Sequence, residues 1–237
     1  MRKTIQNLNW RHIMDIISLR KSFSFTEKHL EIAKKHLESR IKTFPHLFNN
    51  TEFKTLKFSG LDNIKIIDAN LIERDEFGDG SSQAPRSTST NPKYNELKSD
   101  MLEVGFKLYD KPIFVRRIGN GGKFGFLDGR TKDRILLELG VKNRICVIVE
   151  IDDSESQVYG NRLNAGEDMS PAGLVTSEDI FKLCDNYIKQ GLIENNQKQI
   201  EDLINKACGT GKFTYQKRTI MATQIFHKWT SVMTGTL

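Results

Sequence analysis

Apolar residues return at spacings of three and four in several stretches of this chain. Leu30, Ala33, Leu37 and Ile41 predict a helix over 24–42, with Ser24 or Thr26 as N-cap, Glu27 in the first turn and Pro45 as the stop. Tyr94, Leu97, Met101 and Val104 share one face, so 93–105 reads as a helix closed by Gly105. Ile200, Leu203, Ile204 and Ala207 form a stripe over 197–208, and helices over 177–191 and 214–229 open at Ser177 and Thr214. Shorter apolar runs read as a strand and its exit over 64–73 and as strands over 112–117, 123–128 and 144–151, the last continuous enough to be buried on both faces. Asn120-Gly121 marks a hairpin between the second and third of these. Between the first strand and the 93–105 helix, RDEFGDGSSQAPRSTSTNP (74–92) has no periodicity and reads as a long loop.

The order strand, loop, helix, strand, strand, helix, strand predicts a compact α+β unit. The expected division is a basic helical region over 1–57, the α+β domain over 58–153 and a helical C-terminal domain over 154–237. In the last, helix, Gly turn and second helix can be a helix-turn-helix, with Tyr215, Gln216, Lys217 and Arg218 facing DNA. A plain helical hairpin is the alternative.

Composition narrows the class. The chain has 237 residues, 38% hydrophobic and 28% charged, as a globular domain does. No apolar run approaches the roughly 20 residues that span a bilayer, and MRKTIQNLNW lacks the apolar core of a secretory signal. The expected setting is therefore the cytoplasm, with no membrane partner. Three widely spaced cysteines (Cys146, Cys184, Cys208) without a CxxC argue against a disulfide framework or structural zinc. The net charge of +6 is uneven: +7 over residues 1–57, −5 over 58–188 and +4 over 189–237. Basic ends suit a phosphate backbone, and Lys34 and Lys35 on the N-terminal helix are candidate DNA contacts.

The candidate chemistry lies in KPIFVRRIGNGGKFGFLDGRTKDRIL (111–136). Asp128-Gly129 is a sharp turn, and the helix after it opens with Arg130, Thr131, Lys132 and Arg134. Outward-pointing backbone N–H groups, a partial positive charge and three cations make an anion site, most naturally for phosphate. An ordinary hairpin followed by a solvated basic turn is the plainer reading.

Three boxes then resemble the ParB N-terminal domain of the ParB/sulfiredoxin superfamily over residues 60–172, about half the chain. Gln83-Ala84-Pro85-Arg86 is similar to the family's QPR signature, and the following VGFKLYDKPIFVRR to its GxxxPIxVR passage. Phe126–Arg134 is placed like the GERRxRA box, and Asn161-Arg162 through Glu167-Asp168-Met169-Ser170-Pro171 is similar to ENxQREDLSP. The resemblance implies a small mixed sheet with helices, flanked by the N-terminal helical arm and the C-terminal helical domain. It implies a phosphate pocket in which Gly129 makes the turn, Arg130, Thr131, Lys132 and Arg134 hold phosphate, Asn161 and Arg162 close the site and Arg86 folds over the ligand. It further implies a nucleoside triphosphate, CTP or ATP, with Mg²⁺. The departures are specific: Arg130 replaces the acidic residue of GERR, Thr131 and Lys132 replace its arginines, and ENxQR has no acidic counterpart near Asn161. The catalytic cysteine of sulfiredoxins falls at Arg130, which removes the nucleophile of that chemistry.

Three functions remain open. The first is a DNA-binding protein with a phosphate- or nucleotide-binding domain, for which DNA and a nucleotide are the expected partners and a homodimer is a compatible assembly. The second is a metal-dependent DNase, whose best carboxylate is Asp128, since all five histidines lie outside 58–188. The third is a non-enzymatic module, such as an adaptor or toxin–antitoxin component, that keeps the fold without the nucleotide.

Overall fold

The computed structural model describes residues 24–74, 94, 95, 98, 111–120, 122–163, 177–208 and 214–234. The chain divides into two units. One is drawn from Met1–Arg40, Ser59–Glu73 and Thr88–Ile148, the other from Ile41–Phe58, Arg74–Ser87 and Val149–Leu237. The QAPR box (83–86) and the EDMSP end of the third box (167–171) lie outside the described residues, as does most of the 93–105 segment, of which Tyr94, Asn95 and Lys98 are helical.

In the first unit, helix α1 (Glu27–Thr43) buries Leu30, Ala33 and Leu37 of the stripe read from spacing, whereas its fourth member, Ile41, is half-buried. Thr26 is its cap. Its carbonyl accepts from His29 and Leu30 N–H, while His29 Nδ1 reaches back to Thr26 N–H at 3.0 Å. His29 thus fills the place that Glu or Gln takes in a capping box. Just before the helix, Phe25 N–H donates to Asn143 Oδ1 at 2.7 Å, and Asn143 Nδ2 donates back to Phe25 O at 3.0 Å. This amide-to-backbone pair ties the start of α1 to the sheet.

The sheet has five strands in the order β1-β5-β3-β4-β2: β1 Ile64–Asp68, β2 Ile72–Glu73, β3 Ile113–Ile118, β4 Lys123–Asp128 and β5 Asn143–Val149. The apolar run 64–73 does not form one strand. Asp68 accepts from Asn70 N–H at 2.8 Å and starts a single 3₁₀ turn over Ala69–Leu71. β1 therefore pairs antiparallel with β5, while β2 pairs parallel with β4 at the opposite edge. This mixed sheet with its helices is the α+β class predicted from the element order. β5 is buried from Arg144 onward, as its unbroken apolar run requires. β3 and β4 are antiparallel, with a bulge between Phe114 and Val115. Helix α2 (Arg130–Glu138) leaves β4 through Gly129 and ends at Gly140, whose φ of 72° fits a left-handed cap.

The second unit is built on helices α3 (Asp153–Leu163), α4 (Ser177–Lys189), α5 (Gln197–Cys208) and α6 (Tyr215–Thr234). Phe53, with no exposed surface, meets Tyr159 edge-on at 5.0 Å, and the Tyr159 hydroxyl donates to Leu47 O at 2.9 Å. Glu155 accepts from Thr55 N–H and hydroxyl at 2.8 Å, which anchors the 41–58 segment to α3. Asn196 caps α5 through the N–H groups of Lys198 and Gln199, and Thr214 caps α6 through Lys217 N–H. α6 runs to Thr234, past the predicted stop at 229. Among the described residues, no helix is long and apolar enough to cross a membrane.

Candidate functional site

β4 delivers the chain to the site. Asp128 is its last residue and lies opposite Phe114 in the β3–β4 ladder. Gly129 follows at φ 96°, a left-handed conformation that non-glycine residues rarely adopt. A Cβ at this position would meet Ile113 Cγ1 at 3.1 Å and its backbone Cα at 3.3 Å. Glycine is thus required twice over, by backbone angle and by close approach to β3. α2 then begins with no side-chain cap, and its first backbone bond runs from Asp133 N–H to Gly129 O at 2.9 Å.

Arg130, Thr131 and Lys132 occupy this first turn and are half-buried. The Arg130 guanidinium lies 5.2 Å above the Phe126 ring. Lys132 donates to Lys111 O. Burial of its ammonium lowers the Lys132 pKa to about 8. Lys111 and Arg40 push in the same direction, whereas Asp128 and Cys146 oppose them. Arg134 is turned toward the other end of α2. It lies 5.4 Å from the Tyr94 ring and pairs with Glu138 at 3.5 Å. Glu138 also accepts from the Tyr94 hydroxyl and from Lys98, and these hydrogen bonds, Lys98 foremost, hold its carboxyl below the usual range. Burial, and then Glu138, raises the Tyr94 phenol to about 12.

The platform under this turn was not read from the sequence. Asp133 points inward, where its Oδ1 accepts from Arg144 Nε at 2.7 Å. Arg144 further donates to Val141 O at 2.6 Å, Asn143 O at 2.9 Å and Asp133 O at 3.3 Å. Both side chains are buried, so the pair pins the first turn of α2 to the start of β5. A signal was available: an arginine inside the apolar run RICVIVEI needs a carboxylate, and Asp133 shares the buried stripe of α2 with Leu136.

Asn161 and Arg162 belong to the second unit and are buried there. Asn161 Nδ2 donates to Gln157 O at 3.1 Å. Arg162 Nε lies 3.5 Å from Glu52, and its Nη2 lies 3.2 Å from His46 Nε2. Among the DNA candidates, Lys34 is half-buried and pairs with Glu31 at 2.7 Å, whereas Lys35, Tyr215 and Lys217 are exposed and Arg218 is half-buried. Arg86 lies outside the described residues.

Among the described residues, no group of three His, Cys, Asp or Glu side chains could hold a metal ion. At the α2 start, the half-buried Asp128 is accompanied by cations. This donor set does not fit a Mg²⁺ cage built from the protein alone.

No family model and no curated protein matches the chain. Solved structures do. A Pnob8-like ParB-N domain, in its C2221 crystal form, is 16% identical at a TM-score of 0.49, covering 72% of this chain and 70% of its own. The C-terminally truncated chromosome-partitioning protein ParB from Caulobacter crescentus, complexed with CTP-gamma-S, is 15% identical at a TM-score of 0.33, covering 68% of this chain and 98% of its own.

Proposed function

We propose that the chain is a DNA-binding protein whose α+β unit holds a phosphate group, that of a nucleotide in the first instance, at the start of α2. One observation carries this reading. The first turn of α2 is approached through a glycine that no other residue replaces without strain, lacks a side-chain cap, and carries Arg130 and Lys132 where a helix dipole already favours an anion. The resemblance of the three boxes to ParB N-terminal domains makes a nucleoside triphosphate the ligand to test, with CTP first. A bound phosphate would accept from backbone N–H groups of this turn and from Arg130 and Lys132. The exposed Lys35 of the first unit and Lys217 of the second each support a duplex partner through salt-dependent backbone contacts.

The test is calorimetric titration of the full chain with CTP, ATP, inorganic triphosphate and duplex DNA, with and without Mg²⁺. Gly129→Ala and Arg130→Ala are expected to weaken phosphate binding about tenfold or more. Absence of triphosphate binding, or equal binding by both variants and wild type, defeats the reading. DNA cleavage in Mg²⁺ that is lost in Asp128→Ala would replace it with the nuclease. For the DNA partner, charge-removing substitutions at Lys35 and Lys217 are preferable to deleting residues 1–57. That deletion would remove Phe25, Leu30, Ala33 and Leu37 from the core of the first unit and Phe53 from that of the second.

A further inference from the structure

The start of α1 is held by a group that titrates. His29 Nδ1 accepts from Thr26 N–H at 3.0 Å, and the Thr26 hydroxyl lies 2.8 Å from the same nitrogen. A backbone N–H only donates, so Nδ1 carries the lone pair and the neutral ring keeps its proton on Nε2. Gln in this place of a capping box accepts at any pH, and Glu accepts above the carboxylate range. His29 accepts only while Nδ1 is unprotonated. The residue before the cap completes the arrangement. Phe25 is buried, meets the His29 ring edge-on at 5.9 Å and exchanges two hydrogen bonds with the Asn143 amide at the first residue of β5. Thr26, His29, Phe25 and Asn143 thus form one clasp between the entry to α1 and the sheet.

We propose that His29 is a pH-sensitive latch on this clasp, closed at neutral pH and opened by protonation in mild acid. A proton on Nδ1 takes up the lone pair, so the ring can donate to the Thr26 hydroxyl but no longer accepts from Thr26 N–H. The new charge also lies in the first turn of a helix, where the dipole opposes a cation. Glu27 and Glu31 share this end of α1, and Glu31 is paired with Lys34 at 2.7 Å. Across the clasp, the sheet presents the neutral amide of Asn143. Among the described residues, Lys28 is the charged group that moves the titration of His29, and it opposes the proton. Burial of the ring, and then Lys28, hold the folded imidazole below its ordinary value of 6.5. The unfolded chain therefore takes the proton first as pH falls. The contribution of the cap is complete above pH 6.5 and is lost as pH drops through the folded value.

The experiment is amide hydrogen exchange of the full chain at about pH 7.5 and about pH 5, with each rate referred to its intrinsic value at that pH, for wild type, His29→Gln and His29→Ala. His29→Gln keeps an acceptor that does not titrate, and His29→Ala removes it. In wild type, protection of the Phe25 and Thr26 amides is expected to fall about fivefold between the two pH values, while that of Val147 in β5 holds. His29→Gln should stay protected at both, and His29→Ala should be unprotected at both. Equal wild-type protection at the two pH values overturns the latch. The same fall in His29→Gln assigns the change to another group and overturns it too. A fall shared by Val147 marks global unfolding and overturns a local switch. Should His29→Ala fail to fold, wild type against His29→Gln decides on the same criteria.

Discussion

The first turn of α2 and the last turn of α3 hold the same kinds of side chain in opposite electrostatic settings. α3 starts with Asp153 and Glu155 and ends with Arg162, the order its dipole favours. Arg162 is also buried and pairs with Glu52. α2 is reversed. It starts with Arg130 and Lys132 and has no basic residue in its last turn. Its one first-turn carboxylate, Asp133, is committed to Arg144. Each misplaced charge costs on the order of 0.3–1 kcal/mol at a helix end. A cation that satisfies local electrostatics is explained by folding alone. Cations that oppose their helix invite a compensating anion, and violations of local rules concentrate at functional sites.

The contrast requires α2 to be held rigidly despite its charge, and the Asp133–Arg144 pair does this. Asp133→Ala leaves a buried guanidinium without its carboxylate and is expected to cost about 3–5 kcal/mol, measured by urea unfolding. A loss below about 1 kcal/mol would mean that the turn is held by other contacts and that its geometry is not pinned.

A sharper comparison sets Arg162→Met against Arg130→Met. The first removes a buried arginine from Glu52 and His46 and should lower stability by about 1–3 kcal/mol. The second forfeits a cation–π contact worth about 0.5–1 kcal/mol, and its main effect should be an approximately tenfold weaker grip on triphosphate. If Arg162→Met kept full stability yet lost ligand affinity, the distinction between the two turns would collapse.

What the sequence made legible follows from period and punctuation. Most of the α1 stripe, the buried run of β5, the Gly129 turn that opens α2 and the Thr214 cap were all readable because each is a local rule. The split of 64–73 was not, because an apolar run carries no record of which edge of a sheet each half will reach. Asp68 and Asn70 held the turn signal, as an Asx turn inside a strand-like pattern. The roles of Arg144 and Arg162 were hidden for a different reason. A long cationic side chain reads as surface or as ligand until its partner is known, and the partners Asp133 and Glu52 lie 11 and 110 positions away.

The smallest expected effect is also the most specific to the α2 turn. Lys132 has a folded pKa near 8 against 10.5 for the free side chain. Below pH 8 both folded and unfolded chains carry the proton, and the folded state bears the full penalty of burying that charge among Lys111 and Arg40, with Asp128 and Cys146 opposing. Between pH 8 and 10.5 the unfolded chain holds more protons than the folded one, so stability rises with pH through that window. Lys132→Met should therefore be more stable than wild type at pH 7, by on the order of 1 kcal/mol after the loss of the Lys111 hydrogen bond, and the gap should close as pH approaches 10.5. Triphosphate reverses the balance by favouring the charged ammonium, so wild-type affinity should fall as pH rises above 8, and Lys132→Met should show a flatter profile. Identical pH profiles for the two proteins would show that this ammonium takes no part in holding the anion.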